Sequence, residues 1–195
     1  MVAAVPPPLV EAVTVGNPDV IVLALLLAGA GALAGLAKVY AAVPLLLGGQ
    51  WRQLAGLGAI VLVSMAVLPW GEFLASDPMD TLARQSGGRS AFEIPLLIPF
   101  VILALWRLGR ERARWLLVPG LWPMTQLHYA LVGLPGTTLA MAFCMALPLP
   151  GSEAVGIISG AIAEHTRGNG ILRHLPSVSG ARRRPPGHDP GQSPH

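Results

Sequence analysis

Apolar positions in this chain come in long unbroken runs rather than in short amphipathic stripes. Val20 to Ala37 carries no charge and no strongly polar side chain over 18 residues, which meets the minimum length of a membrane-spanning helix. Beyond Lys38 the run resumes through Val43-Pro44-Leu45-Leu46-Leu47. The region 20–47 therefore reads either as one long kinked helix or as two shorter ones meeting near Gly29-Ala30-Gly31. Leu54 to Pro69 forms the next run, with Trp51 and Trp70 where an interfacial belt places them. Ala91 to Trp106 follows, interrupted by Glu93. From Trp115 to Pro150 there is no Asp, Glu, Lys or Arg, room for one span and most of another, with Gly133-Leu134-Pro135-Gly136 as the turn. Ser152 suits an N-cap, and the short apolar piece Ala154 to Ala163 either completes the last crossing, returns as a separate helix or lies in the interface.

The pattern predicts an all-α fold, a polytopic transmembrane helix bundle of about five or six segments. The expected spans are 18–37, 38–48 (re-entrant or continuous with the first), 54–70, 91–106, 115–134 and 136–163, together forming a domain over 1–165. From Thr166 the composition turns to Gly, Pro, Ser, Arg and His with no period, which predicts a disordered basic tail over 166–195.

Composition sharpens this class. Of 195 residues, 53% are hydrophobic and 12% charged, where soluble domains average roughly 25% charged, and mean hydropathy is +0.59. The load of 23 Gly and 19 Pro is better tolerated in membrane helices, where neighbours satisfy freed backbone groups. One cysteine, Cys144, excludes an intramolecular disulfide and a multi-Cys metal site. The formal charge of +3 raises nucleic-acid binding, but the arginines gather at helix ends, and no nucleic-acid partner is expected. Arg107, Arg110, Arg112 and Arg114 crowd one short connection and Arg167, Arg173, Arg182, Arg183 and Arg184 the tail. The 71–92 connection instead sets Glu72, Asp77 and Asp80 against Arg84 and Arg89. Positive-inside logic places the arginine loop and tail in the cytoplasm and the 71–92 loop outside a plasma membrane.

Polar groups at bilayer depth call for a partner or a purpose. Lys38, between two apolar stretches, either snorkels to the headgroups or faces a polar cavity and binds an anionic group such as a lipid phosphate, with Tyr40 sharing either role. The densest polar cluster is Trp122-Pro123-Met124-Thr125-Gln126-Leu127-His128-Tyr129. Helical spacing sets Trp122, Gln126 and Tyr129 on one stripe with Thr125 and His128 beside it, either as hydrogen-bonding glue between helices or as a substrate-lining face. Lys38, Tyr40, Gln126, His128 and Tyr129 are thus the candidate substrate-binding residues. Gly31 and Gly35 make a small-xxx-small pair for close helix approach. Glu72, Asp77 and Asp80 read as solvated loop carboxylates before they read as acid–base groups. No metal site, cofactor fingerprint or nucleophile elbow is present in the sequence, and the catalytic residues stay unassigned.

Several motifs recur in a known order: Gly16-Asn17 opening an apolar helix, Leu33-Ala34-Gly35-Leu36-Ala37-Lys38-Val39-Tyr40 before Pro44-Leu45-Leu46-Leu47, then Trp51-Arg52-Gln53-Leu54-Ala55-Gly56. Leu68-Pro69-Trp70-Gly71-Glu72-Phe73 follows, and Leu121-Trp122-Pro123 leads through Gln126 to His128-Tyr129 and Leu134-Pro135. Over residues 16–150 the chain resembles the C-terminal half of glycosyltransferase family 87. The resemblance implies a C-type membrane fold and transfer of a sugar, mannose-like or arabinose-like, from a polyprenyl-phosphate donor to an acceptor on the outer face. It also implies that a catalytic acidic residue stands in an early external loop, which this sequence lacks; Glu11 and Asp19 are not assigned that role. The partners implied are a polyprenyl-phosphate-linked sugar, membrane lipid and a missing N-terminal half or other membrane subunit. The alternative is a non-catalytic scaffold or lipid-binding subunit that keeps the helical bundle. A small transporter ranks last, for want of an inverted repeat.

Overall fold

The computed structural model describes residues 7–77, 87–123 and 125–174. Every regular element among them is helical, so the chain is all-α as expected. The helices are α1 (Pro7–Thr14), α2 (Asp19–Leu27), α3 (Gly31–Ala37), α4 (Ala42–Leu47), α5 (Trp51–Val67) and α6 (Trp70–Ala75), then α7 (Ile98–Leu108), α8 (Arg110–Leu121), α9 (Ala130–Gly133), α10 (Leu139–Met145) and α11 (Ser152–His174). Short 3₁₀ turns at Val39–Ala41, Pro95–Leu97, Leu127–Tyr129 and Leu134–Gly136 join several of them.

The apolar runs are broken more often than their hydropathy suggests. The 20–47 run divides at Gly29, whose φ of +76° needs a residue without Cβ, and again at Lys38, whose backbone is extended. The 115–134 run divides after Leu121. Pro123 disfavours a helical residue before it, and Trp122 is extended. The 136–163 run divides between α10 and α11. Among the described residues no single helix is long and apolar enough to cross a membrane; the pair α1–α2 passes that test only jointly and is bent by 118°. The last helix continues past Thr166 to His174, through the start of the segment read as a disordered tail. The rest of that tail, with Asp80 and Arg84, lies outside the described residues.

Successive helices shuttle between two ends of the molecule. One end gathers Gly29, Pro44, Gln50 and Arg114 around one hollow, and there Arg110 donates to the Leu47 carbonyl (2.6 Å) and Arg112 pairs with Glu164. The other end gathers Glu11, Asn17, Arg89, Gln126, His128 and Pro148–Pro150. We call them the arginine end and the carboxylate end. Gly109 (φ +81°) makes the one-residue turn from α7 into α8 at the arginine end. α8 is the wall between two cores. Trp115 and Val118 face Val22, Leu26, Tyr40, Leu45 and Val132. Leu116 faces Val101, Leu105, Met141, Met145 and Ile157.

Small residues set the closest approaches. A Cβ on Gly31 would fall 2.2 Å from a Leu45 methyl, and one on Gly35 2.4 Å from a Leu57 methyl, so the Gly31/Gly35 pair packs α3 onto α4 and α5. A second such pair, Gly156 and Gly160, seats α11 on α10, where added Cβ atoms would meet Met145 at 2.8 Å and Met141 at 2.1 Å. Ser152 is the first residue of α11, not its cap: the Val155 N–H bonds the Gly151 carbonyl (2.9 Å), and the Ser152 hydroxyl has no hydrogen-bond partner. α5 is packed only in its first half. From Gly58 to Pro69 it is exposed except at Ser64, with Leu62, Val63 and Val67 standing clear of the body.

Candidate functional site

At the carboxylate end, side chains from residues 38–40 and from the 127–129 turn converge on Asp19, the first residue of α2, which is 0% exposed. The Tyr40 hydroxyl, on the 3₁₀ turn after α3, donates to Asp19 Oδ1. Lys38 Nζ lies 3.6 Å from the same oxygen with its side chain 28% exposed, and 5.9 Å above the Tyr129 ring. His128 Nε2 sits 3.7 Å from Asp19 Oδ2. The aromatic rings close this cluster: Tyr40 packs against Tyr129 at 4.8 Å and edge-on to Trp122 at 6.2 Å, and His128 stacks on Tyr129 at 5.2 Å.

Four of the five candidate residues, Lys38, Tyr40, His128 and Tyr129, are therefore in one cluster. The fifth, Gln126, lines the adjoining cleft. They do not form a helical stripe, because Trp122 and Gln126 are extended and the chain turns 3₁₀ at Leu127–Tyr129. That turn carries His128 and Tyr129 inward onto α1 and α2. The residues missed in sequence are the acids at the centre, Asp19 and Glu11, together with Asn17.

Asn17 fixes the state of His128. The Asp19 N–H donates to Asn17 Oδ1 (3.0 Å), which turns the Asn17 amide nitrogen toward His128 Nε2 at 3.0 Å. A nitrogen that accepts from an amide carries no proton, so the neutral ring holds its proton on Nδ1. Nδ1 faces Glu11 Oε2 across 3.9 Å, too far for a direct hydrogen bond, and neither atom has a hydrogen-bond partner. A buried donor and a buried acceptor thus face each other, shut off from solvent and each without a hydrogen-bond partner in this conformation.

Glu11, Asn17, Gln126, Leu127 and His128 line an open cleft of about 750 Å³ together with Gly87, Arg89 and Pro148–Pro150. The loop that carries Arg89 is pinned from within. Arg89 Nε bonds Glu153 Oε1 at 3.3 Å, and its terminal nitrogen donates to the Met145 and Leu147 carbonyls (2.5 and 2.7 Å). The buried Thr125 hydroxyl accepts the N–H groups of Arg89 and Ser90 (3.2 and 2.8 Å). Thr125 thus holds a loop rather than a ligand. Both cations of this end are already matched, Lys38 by Asp19 and Arg89 by Glu153, which leaves Glu11 as the unmatched charge facing the cleft among the described residues. Glu72 and Asp77 lie apart from it, on and after α6, exposed. No group of His, Cys, Asp and Glu among the described residues is placed to hold a metal ion.

No protein-family model, no curated protein and no solved structure matches this chain.

Proposed function

We propose that this chain is an integral membrane protein whose carboxylate-end cleft binds the hydroxyl-rich head of a polyprenyl-phosphate-linked sugar or of its acceptor. It works as the part of a family 87-like glycosyltransferase that corresponds to the C-terminal half, beside a partner half. The observation that carries the reading is the facing pair of unsatisfied buried atoms, His128 Nδ1 and Glu11 Oε2, on the wall of the cleft. Both atoms are buried, so the two side chains part to admit a sugar hydroxyl, which then accepts from Nδ1–H and donates to the Glu11 carboxylate, meeting both demands at once. In transfer, the acceptor oxygen bonds the anomeric carbon and gives its proton to the acidic residue that the partner half supplies, while the bond from that carbon to the phosphate oxygen breaks; Glu11 holds a hydroxyl and is not the base.

Support for the membrane setting comes from the surface. Large apolar side chains including Leu62, Val67, Leu96, Trp106, Leu139 and Phe143 are at least 70% exposed, far more than a water-facing surface of this size carries. α5 runs for 17 residues, about 25 Å at 1.5 Å per residue against the roughly 30 Å of a hydrocarbon core, with Trp51 at its start and the Trp70 indole turned back onto the Ser64 hydroxyl (3.2 Å). The cleft then opens outward and the arginine end faces the cytoplasm.

One observation favours the non-catalytic reading. With Lys38 and Arg89 both neutralised by carboxylates, the cleft has no spare cation among the described residues to hold a departing phosphate. A single experiment separates the readings. The full chain in nanodiscs, with and without a co-expressed partner half, is given polyprenyl-phosphate mannose, and binding and sugar transfer are both measured. Binding that weakens about tenfold in Glu11→Gln and in His128→Ala, as loss of a hydrogen bond to a charged group predicts, supports the cleft. Transfer in the presence of the partner half supports the enzyme; binding without transfer supports the scaffold. Equal affinity for polyprenyl phosphate with and without its sugar rejects the hydroxyl site.

A further inference from the structure

Away from the cleft, α7 and α11 enclose a shallow groove of about 210 Å³ at the arginine end. Its floor is apolar, from Phe100 and Leu103 on α7 and Ile158 and Ile162 on α11, and Arg107 and His165 stand at one rim. The helices pack through the other face of α7, where Val101, Ala104 and Leu105 are buried. Positions 100, 103 and 107 therefore form an outward stripe at helical spacing.

The charges around this groove are uneven. Arg112 is paired with Glu164 and Arg114 with Glu111. Arg107 touches the Trp106 ring at 5.9 Å and, among the described residues, has no carboxylate partner; Arg110 bonds only a carbonyl. An uncompensated guanidinium thus closes one end of an apolar trough. A free anion would gain nothing from the trough, and an apolar helix would leave the guanidinium without a counter-charge. The shape and the charge together fit an amphiphile with an apolar tail and an anionic head.

We propose that this groove seats one acyl chain of an anionic phospholipid, with the lipid phosphate on Arg107. The proposal rests on the membrane setting above but not on the cleft or its chemistry. Arg107 supplies a bidentate fork for the phosphate, and Phe100, Leu103, Ile158 and Ile162 line the chain. In the orientation given, this is a lipid of the inner leaflet.

The test uses the full chain in phosphatidylcholine nanodiscs carrying equal small amounts of spin-labelled phosphatidylglycerol and phosphatidylcholine, with the immobilised fraction of each read by electron spin resonance. Phosphatidylglycerol is expected to be retained about fivefold over phosphatidylcholine, the effect of one basic residue at an anionic headgroup. Arg107→Gln brings the ratio near one. Ala161→Trp, which fills the groove and keeps the charge, does the same, while Arg52→Gln leaves the preference intact. Equal retention of the two lipids by the unaltered chain overturns the site, as does an equal loss in Arg107→Gln and Arg52→Gln, or displacement by millimolar inorganic phosphate. Release of the chain from cell membranes by alkaline wash overturns the membrane setting itself, and is read separately from the lipid ratio.

Discussion

Asp19 owes its position to the hinge at Gly29. An unbroken helix over Val20–Ala37 would hold Asp19 and Lys38 about 28 Å apart, at 1.5 Å per residue. The break folds α3 back along α2 and brings the two charges to 3.6 Å. A buried carboxylate with a tyrosine, a lysine and a histidine around it is sensitive to loss of any one member. Asp19→Ala is expected to lower stability by about 3 kcal/mol, in the range for an orphaned partner of a buried pair, and Glu72→Gln by less than about 0.5 kcal/mol, as for an exposed position. Thermal unfolding in detergent measures both. In the double variant Asp19→Asn with Lys38→Met, most of the loss is recovered, because the uncompensated charge is gone.

This pair also explains why the centre of the site was hidden in the sequence while its periphery was visible. Lys38, Tyr40, His128 and Tyr129 stand out as polar interruptions of apolar runs, and that is a local signal. Asp19 reads as the polar flank of a run, and Glu11 as a residue before it. Only the hinge, which sequence leaves open between one kinked helix and two short ones, converts a flank into a core. Arg89 and Glu153 were illegible for a related reason. They are 64 residues apart in the chain, and nothing local links a loop arginine to the start of α11.

At the scale of elements, glycine spacing governs which helices touch. The Gly31/Gly35 pair was legible because it lies inside a charge-free run. Gly156/Gly160 follows the same rule but falls in a piece too short to be read as a spanning helix. Gly160→Val should drive a side chain into Met141 and cost about 1–3 kcal/mol, the usual penalty for overpacking; Gly58→Val, where a Cβ meets nothing, should cost less than Gly160→Val. A melting comparison of the two tests whether α11 is held on α10 by close approach. The breaks themselves were harder to foresee. Hydropathy reports that a run avoids water, and it is silent about whether that run is one helix or two packed back to back.

The whole molecule is polarised along the direction in which its helices shuttle. Arg107, Arg110, Arg112 and Arg114 lie at one end, and Glu11, Asp19, Glu93 and Glu153 belong to the other. Cysteines placed at Glu72 and at Arg110 report this directly: on intact cells, a membrane-impermeant maleimide should label the first and not the second. Labelling of both, or of the second alone, contradicts the orientation. In an energised membrane, negative within, each unneutralised charge held across the full drop is worth about 2.3 kcal/mol per 100 mV. In the membrane setting proposed above, Arg107 and Arg110 would be drawn inward and Glu11 outward. Under the proposed orientation, a potential negative within favours this direction of insertion over its inverse.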